Sequence, residues 1–182
     1  ESGGVEIVVV GASDVAQRIG RGGFDLALGH IGELEEDAAL VAERLFEEHL
    51  VCVVAGDHPR LARNVAVTLD ELRREGHILI TPEGRPGDVV DAALRQLGLT
   101  RRIVLRVPHA ATAALIVART DLVLTLPSTV AQRLEPMTGV RVLEAPAGLP
   151  KFSFELVYHA VNRADPAHAW LRELIREIAQ RA

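Results

Sequence analysis

Residues 22–30 run Gly-Gly-Phe-Asp-Leu-Ala-Leu-Gly-His and end on an imidazole, His30, just past an apolar stretch and its closing Gly29. A histidine in such a place can trade protons, ligate a metal or hydrogen-bond an anion, and each chemistry requires different company. A metal site calls for closely spaced ligands such as His-Glu-x-x-His or paired cysteines. The seven histidines are scattered and Cys52 is the sole cysteine. A serine nucleophile calls for Gly-x-Ser-x-Gly at a strand-to-helix elbow; Ser13 and Ser128 lack it and suit helix caps instead. No Gly-x-x-x-x-Gly-Lys-Ser/Thr loop is present, and Gly20-Arg-Gly-Gly lacks the dinucleotide spacing. The acidic groups Glu35-Glu36-Asp37 and Glu47-Glu48 read as exposed acidic faces. An enzyme, a bound metal and a cofactor are therefore not expected, and ligand binding is the chemistry that remains.

At 182 residues and 48% hydrophobic, the chain can bury a core as one domain or two small lobes. No apolar run approaches the roughly 20 residues that span a bilayer, and the N-terminus has no signal-type block, so a cytoplasmic protein without a membrane partner is expected. The formal charge of −5 and the pI near 5.8 argue against a nucleic-acid surface on this chain. Its arginines are dispersed; Arg73-Arg74 and Arg101-Arg102 sit beside helix and strand ends and read as solvated faces. Cys52, inside the apolar run Leu50 to Ala55, reads as a buried, inert thiol.

The elements that position these residues alternate between strand and helix. Val5 to Val10 reads as a buried strand, followed by a helix that Ser13 or Asp14 caps, that Val15 and Ile19 anchor, and that Gly20, Gly22 and Gly23 stop. Phe24 to Leu28 reads as a strand buried on both faces of a parallel sheet, completing a right-handed β-α-β unit. Propensity alone makes 33–49 a helix. Leu50 to Ala55 is a strand, Gly56-Asp57-His58-Pro59 a turn, and Thr68-Leu-Asp-Glu71 a capping box whose helix Gly76 ends. Three strand-loop-helix units follow: His77 to Thr81, the loop Pro82 to Gly87 and a helix from about Asp88 to Leu97; Ile103 to Val107 and the helix His109 to Arg119; and Asp121 to Leu126 with the helix from Pro127-Ser128 to Leu134. Val140 to Leu143 ends the series. Phe152 to Ala160 is a strand, and Asp165-Pro166 opens a closing helix with an apolar stripe of Trp170, Leu171, Leu174, Ile175 and Ile178. A middle lobe inserted into an outer one is the economical arrangement.

Four segments in this order resemble the effector-binding domain of LysR-type transcriptional regulators: Arg18-Ile-Gly-Arg-Gly-Gly-Phe-Asp-Leu-Ala-Leu28, Leu45-Phe-Glu-Glu-His-Leu-Val-Cys-Val-Val-Ala-Gly-Asp-His-Pro59, Asp121-Leu-Val-Leu-Thr-Leu-Pro127, and Leu156-Val-Tyr-His-Ala160 with Asp165-Pro-Ala-His-Ala-Trp-Leu-Arg172. The last is similar to the subgroup of nodulation and aromatic-acid-responsive regulators. Each segment alone is weak, but their order and spacing together are specific. The resemblance implies an α/β, type 2 periplasmic-binding-protein-like fold: two Rossmann-like lobes joined by two crossover strands, lobe one 1–49 plus 153–182 and lobe two 50–152. It turns 40–45 into a strand. It also implies that the first strand and helix of lobe one, and the winged helix-turn-helix, are missing from this sequence, leaving a sheet edge in lobe one that could pair with a neighbour.

The same resemblance implies a small-molecule effector held in a cleft between the lobes, and operator DNA contacted only through the missing N-terminal domain of a homodimer or homotetramer. The implied effector contacts are Ala12 and Ser13 after the first strand, Gly29 and His30 after the second, Thr81 and Pro82, His109, Pro127 and Ser128, and Lys151 before the second crossing. Helix N-termini at several of these positions suit a carboxylate. With few aromatic residues near them, a small polar acid or a modest aromatic acid is expected. His159 and Trp170 read as packing residues of lobe one. The alternative reading is a free-standing solute-binding protein of the same fold.

Overall fold

The computed structural model describes residues 4–10, 12–31, 39–81, 89–96 and 98–181, with only the backbone of Ala12, Ser13 and Val89. The chain divides into two compact units, one of 1–46 with 153–182 and one of 47–152. The acidic run Glu35-Glu36-Asp37 and the loop Pro82 to Gly87 lie outside the described residues.

Unit two is built on a five-stranded sheet in the order β5-β4-β6-β3-β7, from β3 (Leu50–Ala55), β4 (Gly76–Ile80), β5 (Arg102–Val107), β6 (Leu122–Pro127) and β7 (Val140–Glu144). β4 runs parallel to β5 and β6, while β3 runs antiparallel to β6 and β7, so β3 is hydrogen-bonded along both edges. Every side chain of β3 is buried, as an unbroken apolar strand covered on both faces must be. One of its faces packs with Leu61, Leu72, Leu94 and Leu143, the other with Ala113, Val117, Leu124 and Ala131. Burial pushes the Cys52 thiol up to about 12.

The helices of this unit are α2 (Leu69–Arg74), α3 (Val89–Gln96), α4 (Ala110–Val117) and α5 (Ser128–Thr138). The capping box forms: the Thr68 hydroxyl accepts from the Glu71 N–H at 3.2 Å, and the Glu71 carboxylate accepts from the Thr68 N–H at 2.8 Å. α5 runs four residues past Leu134, with Pro136 inside it, and stops at Gly139, whose φ of 73° is the left-handed conformation that glycine adopts without strain. The turn at 56–59 is latched by His58. Its Nδ1 accepts from the N–H groups of Arg60 and Leu61, so Nε2 carries the proton and donates to the Asp121 carbonyl at 3.1 Å.

Unit one holds α1 (Ala12–Gly20), a three-stranded sheet in the order β1-β8-β2 from β1 (Leu26–Gly29), β2 (Leu40–Glu48, which runs past the boundary) and β8 (Phe152–His159), and α6 (Pro166–Ala179). Val15 and Ile19 of α1 are buried as their spacing requires. Asp165 caps α6 by accepting the His168 N–H at 2.8 Å, with Pro166 in the first turn. Beneath α6, Arg172 donates to the carbonyls of Asn162 and Arg163 and to Nδ1 of His168, its guanidinium lying 4.4 Å from the Tyr158 ring centre.

Three expectations fail in unit one. Val5 to Val10 is no strand and its side chains are largely exposed, Ile7 by 86%; among the described residues no strand pairs with it, and an apolar run without a ladder partner cannot be a buried strand. The β-α-β unit is therefore not formed. β1 is shorter than 24–28 suggests, runs antiparallel to β8 and leaves Leu28 exposed. Residues 40–48 form the strand that the resemblance implies for 40–45, and not the helix of propensity alone, because pairing in the sheet overrides the propensity of Glu, Ala and Leu. Finally, the stripe on α6 is not core: Trp170, Leu174 and Ile178 are exposed, and the residues α6 buries are His168 and Arg172.

Candidate functional site

In unit two, the carboxyl ends of the parallel strands bring Thr81, His109 and Pro127-Ser128 to one edge of the sheet. The Thr81 N–H donates to the Val107 carbonyl at 2.9 Å, lacing the end of β4 to that of β5, and its side chain is buried. Pro108 ends β5, and His109 is the residue before α4, in extended conformation with φ −129° and ψ 138°. Its imidazole is exposed and makes no cap to the helix. The first turn of α4 contains no acidic side chain, so its free N–H groups and partial positive charge are left for an acceptor from elsewhere.

Helix α5 differs. Its N-terminus already holds an anion, the carboxylate of Glu48. Oε1 accepts from the Ser128 N–H at 3.1 Å and its hydroxyl at 2.5 Å, and Oε2 accepts from the N–H of Thr129 at 3.1 Å and from its hydroxyl. Burial alone would raise the Glu48 pKa, but the hydroxyls of Ser128 and Thr129 and the N–H groups of His49 and Thr129 together hold it below the usual carboxylate range. Glu48 is thus not part of an exposed acidic face, as its neighbour Glu47 suggests; it is 1% exposed. The available signal is its place: it stands two residues before the wholly buried β3. Ser128 and Pro127 are carried with it, the Ser128 hydroxyl donating to Glu48. Lys151 is exposed and pairs with Glu47, Nζ to Oε1 3.4 Å.

In unit one, Gly29 ends β1 opposite Glu155, and His30 follows it with an exposed side chain. Both border a cavity of about 510 Å³ lined mainly by apolar residues, among them Ile7, Val15, Phe24 and Ile175. Ala12 and Ser13 open α1, and Pro82 lies outside the described residues.

Two further histidines do structural work. His77, fully buried, places Nε2 2.6 Å from the Leu72 carbonyl, and burial lowers its pKa to about 4. His159 accepts the Val161 N–H at Nδ1, at 3.1 Å. Among the described residues no group of three His, Cys, Asp or Glu could hold a metal ion, and no helix is long and apolar enough to cross a membrane.

The profile of the LysR substrate binding domain matches residues 4–180. The chain is 32% identical over 162 residues to the HTH-type transcriptional activator NahR of Pseudomonas putida, covering 89% of this chain and 53% of NahR. It is also 32% identical over 171 residues to the HTH-type transcriptional activator NagR of a Ralstonia species, covering 94% and 56%. The chain thus spans about half the length of these relatives. Its fold is that of the effector binding domain of QuiR, solved in complex with shikimate, with a TM-score of 0.72 over 92% of this chain and 78% of that one at 18% identity. With the mixed α/β sheets and the order of the motifs, the match over nearly the whole chain shows that this protein belongs to the LysR substrate binding domain family.

Proposed function

We propose that this chain is the effector-sensing part of a LysR-type transcriptional regulator and that its effector is a small carboxylate or modest aromatic acid. The observation that carries this reading is the family match across residues 4–180, supported by relatives named as transcriptional activators. In this reading it acts without catalysis or a cofactor, in the cytoplasm, as part of a homodimer or homotetramer. Operator DNA is met by a helix-turn-helix outside the matched segment, in keeping with the chain's charge of −5.

Among the expected contacts, His109 and Thr81 have the best-suited setting. An exposed imidazole beside an uncapped helix N-terminus supplies a donor and a favourable field for a carboxylate. Gly29 and His30, with Ala12 and Ser13, are the proposed contributions of unit one, and Lys151 is a further one. Ser128 and Pro127 act through the Glu48 cap that fixes the start of α5. Binding regulates only if the effector favours one arrangement of the protein over another.

Calorimetric titration with shikimate, the ligand in the QuiR structure, and with simple monocyclic aromatic carboxylates tests this. At least one should bind saturably and raise the melting temperature. His109→Ala should weaken that ligand by about 1–3 kcal/mol with the fold intact. Unchanged affinity removes His109 from the site, and binding by none of the acids overturns the ligand class.

A further inference from the structure

The two arginine pairs that read as solvated faces in the sequence meet in space. Arg73 and Arg74 are the last residues of α2, and Arg101 and Arg102 lead into β5. Because β4 and β5 run parallel, with Gly76 opposite Arg102, the end of α2 and the start of β5 fall on the same edge of the sheet. They line a cavity of about 500 Å³ together with Asp70 and Thr100. This edge is the opposite one from Thr81 and His109, since β4 and β5 begin here and end there.

The four guanidiniums are unequally satisfied. Arg101 is buried and tied to Asp91, Nε to Oδ1 2.6 Å, so it is fixed in the wall. Arg73 reaches Asp70 only at 3.7 Å, between exposed side chains. Among the described residues, Arg74 contributes a field at Glu71 without an ion pair, and Arg102 has no ion pair. Arg102 is nonetheless placed: a Cβ at position 76 would stand 3.1 Å from its Nη2 and 2.8 Å from Leu122 and Val104, so the glycine makes room for the side chain. Among the lining residues the four arginines face one carboxylate, Asp70, while the neighbouring carboxylates are engaged elsewhere, Asp91 by Arg101, Glu71 by Thr68 and Asn64, and Glu75 by Arg60, which leaves a cationic lining on a chain that is acidic overall. Like charges gathered around a concave surface repel one another unless an anion enters.

We propose that this cavity is a second binding site, distinct from the proposed effector site, for a small oxyanion carrying two or more negative charges, of the phosphate or pyrophosphoryl kind. Arginine forks present paired N–H donors that match such oxygens in bidentate fashion. Arg101 supplies a preorganised wall, Thr100 a hydroxyl, and Arg73, Arg74 and Arg102 the adaptable donors. The phosphoryl chemistry could come from an inorganic ion or from a phosphorylated metabolite.

The test is calorimetric titration of the full chain with inorganic pyrophosphate in a phosphate-free buffer of fixed ionic strength, with sulfate and adenosine diphosphate as parallel arms. Pyrophosphate should bind saturably, and the double variant Arg74→Gln/Arg102→Gln should bind it at least about tenfold more weakly. Arg102→Lys should fall between the two, keeping charge but losing the planar fork. Matching affinity for adenosine diphosphate would assign the site to a phosphorylated metabolite, and much weaker binding of it would assign the site to the free ion. Absence of saturable pyrophosphate binding, an unchanged affinity in a double variant that melts like the parent, or equal binding of sulfate would overturn the proposal.

Discussion

In unit two the apolar run Leu50–Ala55 is hydrogen-bonded along both edges and buried throughout, whereas in unit one the run Val5–Val10 has no strand beside it among the described residues and lies largely exposed. Both are rich in valine, and Val5–Val10 differs by carrying Glu6. What separates them is whether other parts of the chain supply ladder partners and covering helices, because burying a backbone without partners costs more than its side chains return. Among the described residues, unit two thus packs two hydrophobic clusters on either side of its sheet, and unit one a small one around Val15, Ile19 and Val157. Unit one makes up part of the difference with polar contacts, seen in Arg172 beneath α6 and in Glu43, which accepts from Tyr158 at 2.9 Å and from Arg176 at 2.7 Å.

The sharpest way to break this contrast is to cut the same kind of side chain in both places. Leu124→Ala, in the buried centre of unit two, should cost about 2–5 kcal/mol, while Ile7→Ala should stay within about 0.5 kcal/mol. Urea unfolding of both variants measures it, and an equal loss at Ile7 would show that Val5–Val10 is packed after all.

Next in size is the acid response of His77. Its folded pKa of about 4 lies below the ordinary 6.5, so the unfolded chain binds the extra proton first. The stability this contributes is complete above pH 6.5 and is lost as pH falls through about 4. With each tenfold change in proton affinity worth about 1.4 kcal/mol, the loss is of order 3 kcal/mol. His77→Phe should flatten the stability profile across that window; an unchanged slope would locate the titration elsewhere.

Glu48→Gln should cost about 1–3 kcal/mol, since one end of the amide would turn donors toward the donors of Ser128 or Thr129. The wild-type carboxylate has a lowered pKa, so its contribution is present above the ordinary carboxylate value near 4.5 and fades as pH falls through the folded value. The variant should lack that fade in acid denaturation. The smallest expected effect is in unit one: Tyr158→Phe removes the hydrogen bond to Glu43 and should cost about 1 kcal/mol in the same urea assay. A cost well above that of Glu48→Gln would reverse the ranking of the two units.

These contrasts also mark where the sequence could be read. Local chemistry was legible: the Thr68–Glu71 box, the Asp165-Pro166 start of α6 and the strand-helix alternation of unit two each follow from a few adjacent residues. The family, too, was legible in the order and spacing of four motifs, and the match over 4–180 agrees with it. What escaped depended on partners far along the chain. Residues 40–48 carry helix-forming side chains, so propensity alone misses the strand that the resemblance implies at 40–45 and that pairing with β8 forms. Glu48 passes for a surface acid until Ser128 and Thr129, eighty residues on, close over it. The apolar stripe of α6 has the right period for a core, yet the packed face of that helix runs through His168 and Arg172. Strand-end residues such as His109 could be picked out by position, but their setting beside an uncapped helix needed the fold.

The burial of Cys52 in β3 has a practical consequence. A thiol with no solvent exposure and a pKa near 12 is neither oxidised nor alkylated while the strand stays in place. It becomes reactive only when β3 parts from β6 and β7. As the sole cysteine of the chain, it is a built-in clock: the rate at which a thiol reagent consumes it reads how often the centre of unit two comes open.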